Sequence, residues 1–187
     1  MTTSLLALWM PILLSAVIVF IASSIIHMFT PWHKNDFLAL PREAEVLAAL
    51  RPFNIPPGDY MSPRPASMED MKSAEFKAKM EAGPVLITTV MPSGPANMGR
   101  SLGLWFVFLL IVGVTAAFVG TYSLPIGAGY RGVFRIIGVV SFAGYALGHL
   151  PAYVWYHKNF ATTMRQLIDG IVYAALTAGT FGWLWPR

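Results

Sequence analysis

The acidic residues of this chain are confined almost completely to one segment. Eight of the nine aspartates and glutamates lie between Asp36 and Glu81, and the ninth is Asp169. The rest of the chain contains four apolar windows, each close to the ~20 residues that a helix needs to cross a bilayer. These windows are residues 5–27, 102–122, 133–153 and 167–185. The sequence therefore predicts an all-α membrane protein with four transmembrane helices.

The segment between the first and second windows has a different composition. Residues 28–101 hold ten of the fourteen prolines and eight of the thirteen basic residues. Dense proline excludes long helices, so a polar, proline-rich lobe with short helices is expected there. The predicted organisation is transmembrane helix 1 over residues 1–27, the lobe over 28–101, and transmembrane helices 2–4 over 102–187.

Local signals predict a few short elements inside the lobe. One helix is expected to begin at Pro41, and a second is expected over residues 67–81, because Ser67 and Asp70 have the spacing of a capping box. Val85–Val90 is a β-type run with prolines on both sides, and Tyr60–Ser62 is its candidate partner strand.

Small residues spaced four apart run along three of the windows, where they allow helices to approach closely. They are Gly113 and Ala117, then Gly144 and Gly148, then Gly170, Ala174, Ala178 and Gly182. The pattern predicts an antiparallel bundle within the chain, and it would serve a homo-oligomer interface equally well. The sequence does not separate these two readings.

The distribution of lysine and arginine predicts an orientation. The lobe and the loop between the third and fourth windows carry eight and two basic residues, ten together, whereas the opposite side carries Arg131, Arg135 and Arg187. The positive-inside tendency then places the lobe in the cytoplasm and both termini outside. The basic residues are dispersed, so the lipid bilayer and not nucleic acid is the expected partner.

Several kinds of chemistry are excluded by residue type or context. The chain has no cysteine, which excludes disulfides, thiolate metal sites and cysteine nucleophiles. Gly127–Gly132 matches G-x-G-x-x-G, but it lies in a short turn between two spans, and the next acid is Asp169. A dinucleotide site needs a preceding strand and an acid about 20 residues on. A non-catalytic role is therefore expected rather than an enzyme.

Four polar residues are predicted to converge near one end of the spans. His27 closes the first window, His149 lies about a turn inside the third, and Asp169 lies one turn into the fourth. Arg165 precedes Asp169 by four residues, so a structural pair between Arg165 and Asp169 is expected. His33 and His157 adjoin Trp32 and Trp155, and are expected to be exposed residues of the membrane interface.

Ionisable groups inside a membrane are candidate sites by default. His27 and His149 could be axial ligands of a b-type haem, whereas His27, His149 and Asp169 could bind a divalent metal such as zinc or iron. A proton or ion pathway is a third reading. The plainest reading has no cofactor, with Asp169 paired to Arg165 or to a neighbouring histidine.

Three runs along the chain resemble those of a family of small bacterial integral membrane proteins that has no assigned activity. They are residues 27–36 (HMFTPWHKND), residues 56–63 (PPGDYMSP), and Asp169-Gly170 with the closing residues 177–186 (TAGTFGWLWP). The resemblance implies a multi-pass protein of the bacterial inner membrane.

Two functional hypotheses follow. The leading one is a non-catalytic component of a membrane assembly that self-associates or binds a membrane protein partner through its small-residue stripes and its lobe. The alternative is a haem- or metal-binding membrane redox protein that uses His27 and His149.

Overall fold

Helices dominate the computed structural model, which describes residues 3–187. Four helical spans within those residues are long and apolar enough to cross a membrane. They are Leu5–Phe29, Met98–Ser123, Tyr130–Tyr156 and Phe160–Leu184. Each overlaps one predicted window, so the four predicted spanning helices are confirmed in number and approximate position. Helices of this length and composition indicate a multi-pass membrane protein.

The elements follow one another with short connections. The α-helices are α1 (Trp9–Phe29), α2 (Glu43–Leu50), α3 (Ala74–Ala82), α4 (Met98–Ser123), α5 (Tyr130–Phe142), α6 (His149–Tyr156) and α7 (Phe160–Leu184). The strands are β1 (Gly58–Ser62) and β2 (Leu86–Val90), and 3₁₀ turns cover Leu5–Leu8, Arg51–Phe53 and Asp70–Lys72.

The third span is not one continuous α-helix. A π-helical segment, Ala143–Leu147, joins α5 to α6. A π turn holds one residue more than an α turn, so the side chains after it leave the α-helical phase of those before it. The proline at 151 lies in the first turn of α6, and the irregularity precedes it. His149 therefore begins α6.

The fourth span begins earlier than the sequence predicts. Helix α7 starts at Phe160 and not near 167, because the Asn159 side chain caps it by accepting a hydrogen bond from the Ala161 amide at 2.8 Å. Asp169 thus lies nine residues into α7, which corresponds to about 14 Å along the helix axis. The predicted depth of one turn is wrong, and Asp169 is 5% exposed.

The four spans form a closed ring of contacts. Helix α7 packs against α1 and α5, and α4 packs against the same two helices. Two groups of buried apolar residues fill the centre. The first includes Leu8, Ala116, Ile137 and Phe181; the second includes Val19, Leu109, Tyr145 and Tyr173. The outward faces carry many exposed large apolar side chains, as lipid contact requires.

Several glycines of the predicted small-residue stripes lie in contacts between the spans of one chain. A Cβ on Gly170 would lie 2.6 Å from the Cβ of Ala146, and one on Gly144 would lie 3.2 Å from Val112. A Cβ on Gly113 would meet Ile12 at 3.5 Å. These glycines bring the spans of one chain together, whereas Gly148 of the same pattern is exposed and a Cβ there would meet no atom within 4 Å.

Residues Ala39–Ala96 form a second compact unit, separate from the unit that contains all four spans. Strands β1 and β2 pair antiparallel, with Tyr60 opposite Thr88, so the predicted strand pair is confirmed. The predicted helix over 67–81 is divided. The Ser67 side chain accepts from the Asp70 amide to start a 3₁₀ turn, and α3 begins after Ser73, whose side chain accepts from the Phe76 amide.

Candidate metal centre

The centre begins where the chain reverses after α1. Helix α1 ends at Phe29, and Pro31 has no amide hydrogen with which to continue it. Two tight turns follow, closed by hydrogen bonds from the Lys34 amide to the Pro31 carbonyl and from the Asp36 amide to the His33 carbonyl, both 3.1 Å long. The reversal stacks the His33 ring on the His27 ring, with centroids 4.0 Å apart and planes at 10°.

Helix α7 supplies a carboxylate to this pair of imidazoles. One ligating atom from each of His27, His33 and Asp169 lies within 4.8 Å of those of the other two. The closest approach is 2.8 Å, between Nε2 of His33 and Oδ2 of Asp169. His33 and Asp169 are largely buried, whereas His27 is more exposed. Two imidazoles and one carboxylate therefore meet between the reversed segment and the fourth span.

Each of these residues has its other polar atom held by a partner. Nδ1 of His27 donates to the Ser23 carbonyl at 3.0 Å, and Nδ1 of His33 donates to Oδ2 of Asp36 at 2.7 Å. Because a carbonyl or carboxylate oxygen only accepts, both imidazoles carry their proton on Nδ1. The indole Nε1 of Trp32 donates to Oδ1 of Asp169 at 3.1 Å.

The atoms left free are those that a metal would use. With Nδ1 protonated, Nε2 of each neutral imidazole presents a lone pair. Nε2 of His33 is buried and has no hydrogen-bond partner among the described residues, although Oδ2 of Asp169 is 2.8 Å away. The two atoms are close enough for an ion pair, and they make no hydrogen bond of accepted geometry. Two acceptor atoms at this separation repel each other unless a proton or a metal ion is shared between them.

A second carboxylate and an arginine support the centre from outside. Arg165 donates to Oδ1 of Asp36 from Nε at 2.8 Å, and its Nη2 lies 2.7 Å from the same oxygen. Burial alone would raise the pKa of Asp36, but hydrogen bonds from His33 and Arg165 outweigh it and hold this pKa below its ordinary value. Asp36 is therefore ionised.

The predicted site residues are only partly brought together. Arg165 pairs with Asp36 and not with Asp169, because the reversed segment after α1 brings Asp36 to the guanidinium and places His33 and Trp32 on Asp169. The expectation that His33 is exposed is wrong, since its side chain is 11% exposed. Sequence reasoning missed Trp32, His33 and Asp36 as site residues, although His33 and Asp36 lie three positions apart, a spacing that allows a turn to join them.

A cavity of about 500 Å³ adjoins the centre. His27 and Asp169 line it, and so does His149, the other ligand that the sequence predicts. His33 takes the place of His149 within the close three-residue cluster. The remaining lining residues are Trp105, Phe108, Gly144, Tyr145, Gly148, Gln166 and Tyr173.

No protein-family model, no curated protein and no solved structure matches this chain. Its function is therefore inferred from the geometry of His27, His33 and Asp169.

Proposed function

We propose that this chain is a multi-pass membrane protein that binds one first-row divalent metal ion through His27, His33 and Asp169. The observation that carries the proposal is the convergence of three ligating atoms within 4.8 Å, one of them a buried imidazole nitrogen without a hydrogen-bond partner. Two imidazoles and one carboxylate suit Zn²⁺ or Fe²⁺. Three protein ligands also leave coordination positions for a further ligand, as in catalytic rather than structural metal sites.

The contacts around the three ligands support a metal. Metal-binding histidines usually donate their second N–H to a carbonyl or a carboxylate, which fixes the tautomer and the ring orientation. His27 donates to the Ser23 carbonyl, and His33 donates to the Asp36 carboxylate. Trp32 occupies the Oδ1 atom of Asp169 and leaves Oδ2 for coordination.

A metal-free reading competes with this one. A doubly protonated His33 could bridge Asp36 and Asp169 as a purely structural cation. That state places an N–H on Nε2, which lies 2.8 Å from Oδ2 of Asp169 but makes no hydrogen bond of accepted geometry with it. The assembly-component hypothesis stays a second candidate, and Gly170, Gly144 and Gly113 of its proposed surfaces pack within the chain.

The proposal predicts stoichiometric metal binding. We expect the chain, purified in mild detergent and stripped with a chelator, to bind one equivalent of Co²⁺ with visible d–d absorption that Zn²⁺ abolishes. The measurement is an optical titration with elemental analysis. Co²⁺ that binds without saturation would contradict the site. A Soret band in protein from native membranes would instead support the haem alternative with His27 and His149, and would overturn the three-ligand centre.

Loss of a hydrogen bond to one of the ligands should weaken metal binding without abolishing it. In Trp32→Phe the Oδ1 atom of Asp169 loses its donor, so we expect Co²⁺ affinity to fall roughly 10- to 100-fold. Trp183→Phe is the matched control, because Trp183 is exposed on the last turns of α7, away from the centre. The Co²⁺ affinity of Trp183→Phe should stay within about twofold of that of the parent chain, because this variant leaves the contacts around the ligands unchanged. Equal affinities in the two variants would argue against Asp169 as a ligand.

We further propose that the four spans cross the bacterial inner membrane alternately, as an antiparallel bundle with residues 28–101 in the cytoplasm. The support is the excess of lysine and arginine on that side. Because the chain lacks cysteine, single cysteines report each side cleanly. In spheroplasts, Ser123→Cys should react with a membrane-impermeant maleimide, and Ser93→Cys should react only after permeabilisation. The reverse pattern would invert the orientation.

A further inference from the structure

An open groove runs along the surface of the bundle between α5 and α7. Its volume is about 420 Å³, and its larger lining side chains are Phe134, Val139 and Phe142 of α5 and Ile171 of α7. Val139 is 70% exposed and Ile171 is 54% exposed. Both helices belong to spans that are long and apolar enough to cross a membrane, so a groove with such exposed apolar walls faces lipid.

Small residues give this groove the shape of a channel for a hydrocarbon chain. Gly138 of α5 and Ala174 and Ala175 of α7 line it together with the larger side chains. A Cβ on Gly138 would lie 3.4 Å from the Cβ of Ala178, so the two helices approach closely here. Along α5 the lining residues cover about 12 Å of helix axis, which lets an acyl chain lie lengthwise in the groove.

Two arginines lie at the end of the groove where α5 begins. Arg135 lines the groove itself, and Arg131 precedes it by four residues, on the same face of the helix. Both are exposed, and the ion pairs within residues 3–187 are formed by other residues. From the first turns of a span, an arginine side chain is long enough to reach the level of the lipid headgroups.

The positive charge of these arginines is not compensated by neighbouring acids. No aspartate or glutamate occurs in the sequence between Glu81 and Asp169. Asp169 is engaged elsewhere, because its two carboxylate oxygens contact His33 and Trp32. An anionic headgroup is therefore favoured at this end of the groove, whereas a zwitterionic headgroup would bring a second cation close to the guanidinium groups.

We propose that this groove binds one anionic phospholipid, with its phosphate held by Arg131 and Arg135 and one acyl chain lying between α5 and α7. Guanidinium groups suit phosphate because each can donate two parallel hydrogen bonds to its oxygens. The inference does not depend on the metal centre and requires only that the spans lie in lipid. Arginines that only reach the headgroup level would instead interact with all phospholipids alike.

The test is a lipid titration of the full-length chain in mild detergent, followed by native mass spectrometry. The two probes are dioleoylphosphatidylglycerol and dioleoylphosphatidylcholine, which have the same acyl chains and differ in headgroup charge. We expect one phosphatidylglycerol to bind saturably and phosphatidylcholine to bind roughly fivefold more weakly, the size of a charge effect near a surface. Equal binding of the two lipids would overturn the proposal.

A charge variant checks the headgroup contact. Arg135→Gln removes the positive charge and should weaken phosphatidylglycerol about tenfold, the effect of one charge-assisted hydrogen bond. Arg187→Gln is the matched control, because Arg187 is exposed, and the bond from Trp185 Nε1 to the Pro125 carbonyl holds the end of the chain near the turn before α5. It should bind the lipid as the parent does. An equal loss in both variants, or none in Arg135→Gln, would contradict the site.

A steric variant checks the groove. Ala175 is exposed and lines the groove, so Ala175→Leu should fill it and weaken phosphatidylglycerol severalfold through lost van der Waals contacts with the acyl chain. The matched control is Gly103→Leu, an exposed position on α4 where an added Cβ meets no atom within 4 Å. Unchanged elution in size-exclusion chromatography verifies that each variant is folded.

A competitor distinguishes a lipid from a free phosphate. Glycerol 3-phosphate carries a phosphate group without acyl chains, so it should not displace phosphatidylglycerol from the parent chain. If it displaces the lipid at equal concentration, or if Ala175→Leu binds phosphatidylglycerol as tightly as the parent, the arginines bind phosphate alone and the lipid groove is ruled out.

Discussion

Replacement of Asp169 by asparagine is expected to weaken Co²⁺ binding more than 100-fold while the fold is retained. Asparagine has the same shape, and its side-chain oxygen can still accept from Trp32 Nε1. Asparagine lacks the negative charge that attracts the metal ion. It also has an amide nitrogen in place of the coordinating Oδ2 atom. Loss of an outer contact alone typically costs 10- to 100-fold in metal affinity, and loss of a ligand costs more. The measurement is the cobalt titration of the detergent-purified variant.

A second aspartate provides the control for this variant. Asp59 is on β1 in the separate unit, where its carboxylate accepts a hydrogen bond from Thr89. Asp59→Asn removes the same charge from the unit that holds none of the three ligands, and its Co²⁺ affinity should equal that of the parent. Co²⁺ affinity in Asp169→Asn within a few-fold of the parent would exclude Asp169 as a ligand and favour the structural bridge through protonated His33.

The second large effect is expected at the helix contact next to Asp169. In Gly170→Ala the new methyl group would lie 2.6 Å from the Ala146 Cβ and 3.1 Å from its Cα. Ala146 is fully buried, and backbone cannot move aside as the end of a side chain can. Overpacking of this kind costs about 1–3 kcal/mol, and we expect about 2–3 kcal/mol here. The measurement is reversible unfolding in mixed micelles.

Gly182→Ala is the matched control on the same helix. Its methyl group would also meet a close neighbour, at 2.7 Å, but that neighbour is the ring of Tyr130, which is half exposed and free to shift. We expect a loss below about 1 kcal/mol, because the strain can relax. Ala146→Gly in the Gly170→Ala background removes the nearest atom and should recover about half of the lost stability. A larger loss in Gly182→Ala than in Gly170→Ala would contradict this account.

The parts of the fold set by long-range composition could be predicted from the sequence. Four apolar windows gave four spans, because spanning length and low charge are properties of a whole segment. The ends of the helices were harder to predict from the sequence. Residues 160–166 are polar enough to read as loop, yet the Asn159 cap and the contacts of Thr163 and Arg165 extend α7 backwards over them. The π segment Ala143–Leu147 also breaks the helical periodicity that predicts which side chains share one face of the third span.

Only part of the candidate centre could be predicted from the sequence, for a similar reason. His27 and Asp169 stood out as ionisable residues within apolar windows, and both belong to the cluster. His33 and Asp36 lie in the reversed segment, and no helical periodicity indicates which way such a segment folds. The tryptophan beside His33 suggested an interfacial belt, whereas its indole in fact donates to Asp169. A pairing set by a chain reversal requires the three-dimensional structure.

The path of the chain beyond the centre has a mechanical consequence. After Asp36 only Phe37 and Leu38 precede the unit that starts at Ala39. Displacement of that unit would be transmitted through a tether of at most about 11 Å to the carboxylate that orients His33. The same short segment that completes the proposed centre is therefore also the covalent connection to residues 39–96.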